Sequence, residues 1–236
     1  MVCNALVLRV VPYGEADAIV TLFTDELGKI SAVGRSARKS ARRFAAALEP
    51  LHGIRATVVE KSHSELYSLR EAAVTVPRTH ILRSLERMEA AGKALRWVRA
   101  GSPQRTPELN VLGELDHLLD RLNDAEEALS PAAHLAGAGL RLLKHFGYGL
   151  ELGHCVRCFR PCDPMRPAFV DAGAGGLICQ ACGGGHSPAH HLLSAATRTR
   201  LAAAAAGSDA ALQDADAELA QKLVDEALAA HAGVLE

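Results

Sequence analysis

The sequence predicts an α+β multidomain protein: an N-terminal five-stranded OB-fold β-barrel, a helical body and a zinc-ribbon insertion. Three observations carry this. Short Val- and Leu-rich runs separated by turn residues fill the first 78 positions. Apolar residues at helical spacing take over after Pro77. Five of the six cysteines crowd between Cys155 and Cys182, among Gly and Pro.

The barrel is read strand by strand. Asn4–Val11 is the first apolar run; Ala18–Phe23 and Lys29–Gly34 flank the turn Thr24–Gly28, and Leu51–Glu60 and Glu65–Val74 flank Lys61–Ser64. A small sheet of five strands closes to remove its edges, as an OB-fold does, with an SH3-like barrel as the rival. Beyond Pro77, Leu82, Leu85, Met88, Leu95 and Val98 make a first helical stripe. Thr106-Pro107-Glu108 and Ser130-Pro131 read as helix starts, before stripes at Leu109–Leu122 and Leu135–Phe146, and Gly147 reads as a stop. Periodicity disappears over residues 151–191 and returns from Leu192 through the Ala-rich run 202–206 to Leu228. The expected domains are 1–78, an OB-fold DNA-binding domain; 79–150, the first part of a helical domain; 151–191, a four-cysteine zinc ribbon; and 192–236, the C-terminal part of the helical domain.

Composition narrows the function classes. Aromatics are 4% of residues, which leaves Ala and Leu to build the core. Net charge is −1, yet residues 1–80 hold 11 Lys+Arg against 8 Asp+Glu while 192–236 hold 3 against 7. The start MVCNALVLRVV lacks a basic leader pattern, and no apolar run reaches membrane-spanning length. These features predict a soluble cytoplasmic protein, where paired cysteines are metal ligands or redox groups rather than disulfides.

Cys155-x-x-Cys158 and Cys179-x-x-Cys182 are two knuckles able to supply four thiolates to one tetrahedral Zn2+. Cys158-x-x-x-Cys162 is also an acceptable pair, so Cys162 competes with Cys155, and His154 and His186 are spare ligands. A closed four-sulfur site has no position for water, which predicts a structural metal and no zinc catalysis. His63-Ser64-Glu65 matches half of a zinc-deaminase pattern, but no Pro precedes Cys179 and the separation is too long.

The other informative stretch is GRSARKSARRFAAALEP, residues 34–50. Arg35, Arg38, Lys39, Arg42 and Arg43 stand between Gly34 and Phe44 with no acid among them. A basic loop on a small barrel suits phosphate contacts, with Phe44 placed to stack on a base.

The chain resembles the RecO family of bacterial recombination mediators. The resemblance rests on ALVLRVVPYGEADAIVTLFTDELGKISAVGRSARK, on RRFAAALEPL and ELYSLREA, and on FGYGLELGHCVRC leading to the second CxxC. It implies an OB domain, a helical body and a zinc-ribbon insertion. It also implies a protein with no enzyme active site that binds single- and double-stranded DNA and anneals complementary strands. With RecR, such a protein helps load RecA onto DNA coated by single-strand-binding protein, at the nucleoid. Carried over by position, the DNA-binding residues are Lys29, Arg35, Arg38, Lys39, Arg42, Arg43 and Phe44, and the metal ligands are Cys155, Cys158, Cys179 and Cys182. The alternatives from the residues alone are an OB-plus-ribbon adaptor for RNA or protein, and a zinc-dependent hydrolase or deaminase.

Overall fold

The computed structural model describes all residues except 62–63 and 234–236, and omits the side chains of Ala41, Arg42, Ala45 and Ala211. His63 therefore lies outside the described residues. The chain divides into two compact units, one of residues 1–91 and 102–125, the other of residues 92–101 and 126–236. Among the described residues no helix is long and apolar enough to cross a membrane.

The first unit is built on a closed barrel. Strands β1 (Val2–Tyr13), β2 (Asp17–Thr24), β3 (Gly28–Gly34), β4 (Gly53–Val59) and β5 (Tyr67–Val76) run in the order β1-β2-β3-β5-β4, and β1 pairs back onto β4. Only the β3–β5 pairing is parallel. Alternate residues point inward: Cys3, Ala5 and Val7 from β1, Ala18, Val20 and Leu22 from β2, Ile30 and Ala32 from β3, Ile54, Ala56 and Val58 from β4. Small Ala side chains interleave with branched ones, as a narrow barrel lumen requires.

The stretch 34–50, expected to be a loop, is partly helical. A single turn α1 (Ala41–Phe44) leads into a 3-10 turn, Ala45–Leu48, and Phe44 and Ala47 join the barrel core. Period analysis misses an element this short, because its eight residues span barely two turns.

Two longer helices also belong wholly or partly to this unit. Helix α2 (Leu85–Gly101) begins in it, and α3 (Leu109–Asn123) packs Val111, Leu115, Leu118, Leu119 and Leu122 inward. The expected start of α3 at Thr106-Pro107 is displaced: Glu108 is the N-cap and makes no side-chain capping bond. The reason is tertiary. Thr106 is drawn against β3, so closely that a Cβ on Gly28 would meet the Thr106 carbonyl oxygen at 1.9 Å. Gly28 also has φ +64°, so both backbone shape and space call for glycine there.

Arg78, fully buried, holds α3 to the barrel. Its guanidinium donates to Asp116 Oδ1 at 2.6 Å, Asp120 Oδ1 at 2.8 Å and the Leu51 carbonyl at 3.1 Å, while its amide donates to His52 Nδ1 at 3.0 Å.

The second unit contains α4 (Pro131–His145), α5 (Ala195–Ala205), α6 (Asp214–His231) and a second sheet. Ser130 caps α4 and Ser194 caps α5, each accepting a hydrogen bond from a first-turn amide. Gly147, at φ +86°, follows the end of α4. Gly139 lets α4 approach Trp97: a Cβ there would lie 2.6 Å from the indole and 3.1 Å from Val224. Trp97 donates its indole N–H to Asp225 at 2.7 Å, and Lys93 bridges the same carboxylate at 2.9 Å.

Replacing Arg78 by Met removes the hydrogen bonds that hold α3 but strands no buried ion, because Asp116 and Asp120 are about half exposed, at 48% and 57%. The expected loss is about 3 kcal/mol, against under roughly 1 kcal/mol for Asp116→Asn. Chemical denaturation of both variants checks the difference, and equal midpoints would contradict this role for Arg78.

Candidate metal centre and nucleic-acid interface

Two structures in two units carry the candidate residues. The first is the cysteine cluster of the second unit. Its sheet has strands β6 (Glu151–Cys155), β7 (Ala168–Asp171), β8 (Gly176–Ile178) and β9 (His191–Leu193) in the order β6-β8-β7-β9. Cys155 ends β6 and Cys179 follows β8, and these two strands are neighbours. Each knuckle folds back on its first cysteine: the Phe159 amide donates to the Cys155 carbonyl at 2.8 Å, and the Cys182 amide to the Cys179 carbonyl at 3.0 Å. Both turns end in left-handed residues, Phe159 at φ +59° and Gly183 at φ +92°.

The ligand atoms of Cys155, Cys158, Cys179 and Cys182 all lie within 4.8 Å of one another. Cys158 Sγ and Cys179 Sγ are 3.8 Å apart. Four sulfurs bound tetrahedrally at about 2.3 Å from an ion are separated by about 3.8 Å, so the set fits one tetrahedral metal. The protonation pattern suits that use. Burial pushes the Cys155 thiol up, but the amides of Cys179, Cys158 and Arg157 outweigh it and bring it down to about 6. Cys182 is raised to about 12, because its thiol hydrogen-bonds to Cys179 and Cys158. Thiolates are the metal-binding form, so a cation bound here would displace the protons the thiols retain.

The competing cysteine, Cys162, lies outside this set. Its amide donates to the Gly153 carbonyl at 2.8 Å and its carbonyl accepts from Arg198 Nη2 at 2.6 Å. Burial raises its thiol above the usual range. Arg198, buried on α5, also donates to the carbonyls of Leu152 at 2.7 Å and Asp163 at 2.9 Å. Sequence reasoning missed this clamp, since nothing near Arg198 marks it. His154 is exposed and faces Glu151 Oε1 at 3.5 Å.

The second structure is the basic stretch after β3. Arg35, Arg38, Lys39 and Arg43 are exposed. Its backbone is pinned to the β1–β2 turn: the Ser36 amide donates to Asp17 Oδ1 at 2.7 Å and the Arg38 amide to the Ala16 carbonyl at 3.0 Å. Arg43 donates to Ser40 Oγ at 3.2 Å and to the Arg35 carbonyl at 2.6 Å. The cationic side chains thus stand on an ordered frame, with the Arg42 side chain outside the described atoms.

Two carried-over residues are buried, where the sequence leads one to expect exposure. Phe44 is 1% exposed and plugs the barrel, so its ring has no face to offer a base; the Arg43 guanidinium carbon lies 5.1 Å from its centroid. Lys29 is 7% exposed, on a strand edge covered by Gln104. Both sit in regular structure whose packing outweighs the outward placement assumed from sequence.

Two family models cover nearly the whole chain: "Recombination protein O N terminal" matches residues 1–78 and "Recombination protein O C terminal" matches residues 82–234. The chain is 38% identical over 183 residues to a DNA repair protein RecO of Anaeromyxobacter sp. (strain K), covering 77% of this chain and 70% of the relative. It is 35% identical over 183 residues to DNA repair protein RecO of Geobacter metallireducens, covering 76% and 71%. It is 37% identical over 191 residues to DNA repair protein RecO of Myxococcus xanthus, covering 76% and 71%. With the two models matching residues 1–78 and 82–234, this protein belongs to the RecO family.

Proposed function

We propose that this chain is a DNA-binding recombination mediator in DNA repair, with no active site of its own. The barrel, residues 1–78, is its DNA-binding domain, and Arg35, Arg38, Lys39, Arg42 and Arg43 contact the phosphates of single- and double-stranded DNA. The observation that carries this reading is the run of exposed cations on a pinned frame beside a closed five-stranded barrel. Such a surface binds backbone rather than bases, which suits a protein that must accept any sequence and anneal complementary strands. In this reading the protein works in the cytoplasm at the nucleoid. It forms a complex with RecR and helps load RecA onto DNA covered by single-strand-binding protein.

The metal in this reading is one structural Zn2+ on Cys155, Cys158, Cys179 and Cys182. Thiolate softness and tetrahedral spacing support zinc over the harder cations. With all four positions taken by sulfur, the ion stabilises the 151–191 ribbon and activates no water.

Changing Arg38, Lys39, Arg42 and Arg43 to Ala is expected to weaken DNA binding and to flatten the plot of log affinity against log salt. Each lost phosphate contact removes about 0.9 from the slope on duplex DNA and about 0.7 on a single strand. Titrations at several salt concentrations measure it, and an unchanged slope would remove the loop from the interface. Better binding of structured RNA than of single-stranded DNA would instead favour an RNA adaptor. Purified RecR is expected to be retained by the immobilised full-length chain, and failure to retain it would exclude the complex. Cys155→Ser is expected to lose stoichiometric zinc, measured by metal analysis of the purified protein, while Cys162→Ser keeps it. The opposite outcome would put Cys162 in the ligand set.

A further inference from the structure

Strand β3 outruns its partner. Its parallel pairing with β5 covers only Ala32, Val33 and Gly34, opposite Tyr67, Ser68 and Leu69. The earlier part of β3 is met instead by the loop before α3: Lys29 bridges to Gln104, and the Arg105 amide donates to the Lys29 carbonyl at 2.9 Å. Between strand, loop and the turn into β5 a cleft of about 430 Å3 remains, lined by Ile30, Ser31, Glu65, Leu66, Gln104 and Arg105.

Arg105 does more there than hold the loop. The amide bond to Lys29 already serves that end, and any residue can make it. Yet Arg105 adopts φ +55°, a left-handed conformation that non-glycine residues seldom take. Its side chain is 44% exposed, and its guanidinium carbon lies 5.3 Å from the centroid of the Tyr67 ring. Nη2 donates to the Glu65 carbonyl at 2.9 Å, while Glu60 Oε1 stands 3.8 Å from Nη1, beyond hydrogen-bonding distance. Tyr67 is buried and supports the cation from beneath. A planar guanidinium is thereby held at the mouth of a cleft.

We propose that this cleft receives one unpaired base of a single-stranded nucleic acid, stacked on the Arg105 guanidinium. The inference rests on the DNA-binding reading above and deepens it. Chemistry selects a base over a phosphate: Glu60 and Glu65 flank Arg105 and would repel an anion, whereas an aromatic base of any identity stacks on a guanidinium plane. Ile30 and Leu66 supply apolar wall, and Ser31 and Gln104 supply polar groups for a base edge. Position agrees as well. Ser31, which lines the cleft, stands three residues before Gly34, the end of β3, with Arg35 next, which is about 10 Å of strand. A single strand whose phosphates lie along the basic loop can turn a neighbouring base into the cleft. Bases within a duplex are already stacked and cannot enter.

The test compares wild type, Arg105→Gln and Arg105→Lys in anisotropy titrations with three probes: an oligothymidine strand, a duplex of the same length, and an abasic single strand. Both variants are expected to lose about tenfold in affinity for oligothymidine, because Lys keeps the charge but not the plane. Duplex and abasic affinities are expected to stay within about twofold of wild type, as phosphate contacts alone carry them. Equal losses on all three probes, or none on any, would overturn the base subsite. A second measurement needs no variant: photocross-linking of 5-iodouracil oligonucleotides to the wild-type chain, mapped by mass spectrometry. Cross-links in the peptides holding Leu66 or Gln104–Arg105 are expected. Cross-links confined to the 35–43 peptide would overturn the cleft and leave the loop assignment standing. Wild-type protein that binds none of the probes would overturn both.

Discussion

An arginine with no exposed surface has to find hydrogen-bond acceptors within the fold, and Arg78 finds them on three residues in two separate segments. Asp116 and Asp120 lie on α3, and the Leu51 carbonyl lies at the entrance to β4. Removal of a guanidinium from water is costly unless its donors are taken up. The first unit therefore closes only when α3 is docked with its two carboxylates aligned one turn apart. Once α3 is docked, the loop before it is carried to β3, where Thr106 packs on Gly28 and Arg105 reaches the Lys29 carbonyl. The cleft, the displaced helix start and the need for glycine at 28 all follow from that docking.

The second unit solves a related problem in a small space. The sheet of residues 151–193 buries Cys155, Val170, Ala172, Leu177, Ile178 and Leu193, too little apolar surface to fix four short strands. Arg198 adds a polar anchor by gathering the carbonyls of Leu152, Cys162 and Asp163, and His191 ties β9 to α6 through Glu226 at 2.9 Å. The thiol cluster stands where the neighbouring strands β6 and β8 end. Cys162 sits among the anchored carbonyls, so its backbone belongs to the clamp and its sulfur stays outside the four.

What the sequence discloses tracks how local the cause is. The five strands and the longer helices are legible because period and turn residues act over a few positions, as Ser130-Pro131 does for α4. The clustering of four thiols is legible because two CxxC knuckles are local geometry repeated. Phe44 is not: a basic run hides a single helical turn whose one large apolar side chain plugs the barrel. The start of α3 is misread for the opposite reason, since a sound capping signal at Thr106 yields to a contact with β3. Arg78, Arg105 and Arg198 bear no local mark. Their partners lie 26 to 46 residues away or more, and only the folded chain brings them together.

The patch that the 104–105 segment lays over β3 bears on how separable the barrel is. Residues 1–78 contain every strand of the barrel, yet the lower edge of β3 has its partner in a loop about a third of the chain further on. Cut free at that boundary, the barrel would carry an open strand edge beside β5, with the Lys29 carbonyl lacking the amide of Arg105 and Arg78 lacking its carboxylates. An exposed edge of that kind invites pairing with other chains. The barrel is thus a module in its sequence match but not in its hydrogen bonding, and transplanting it intact means taking residues up to the end of α3.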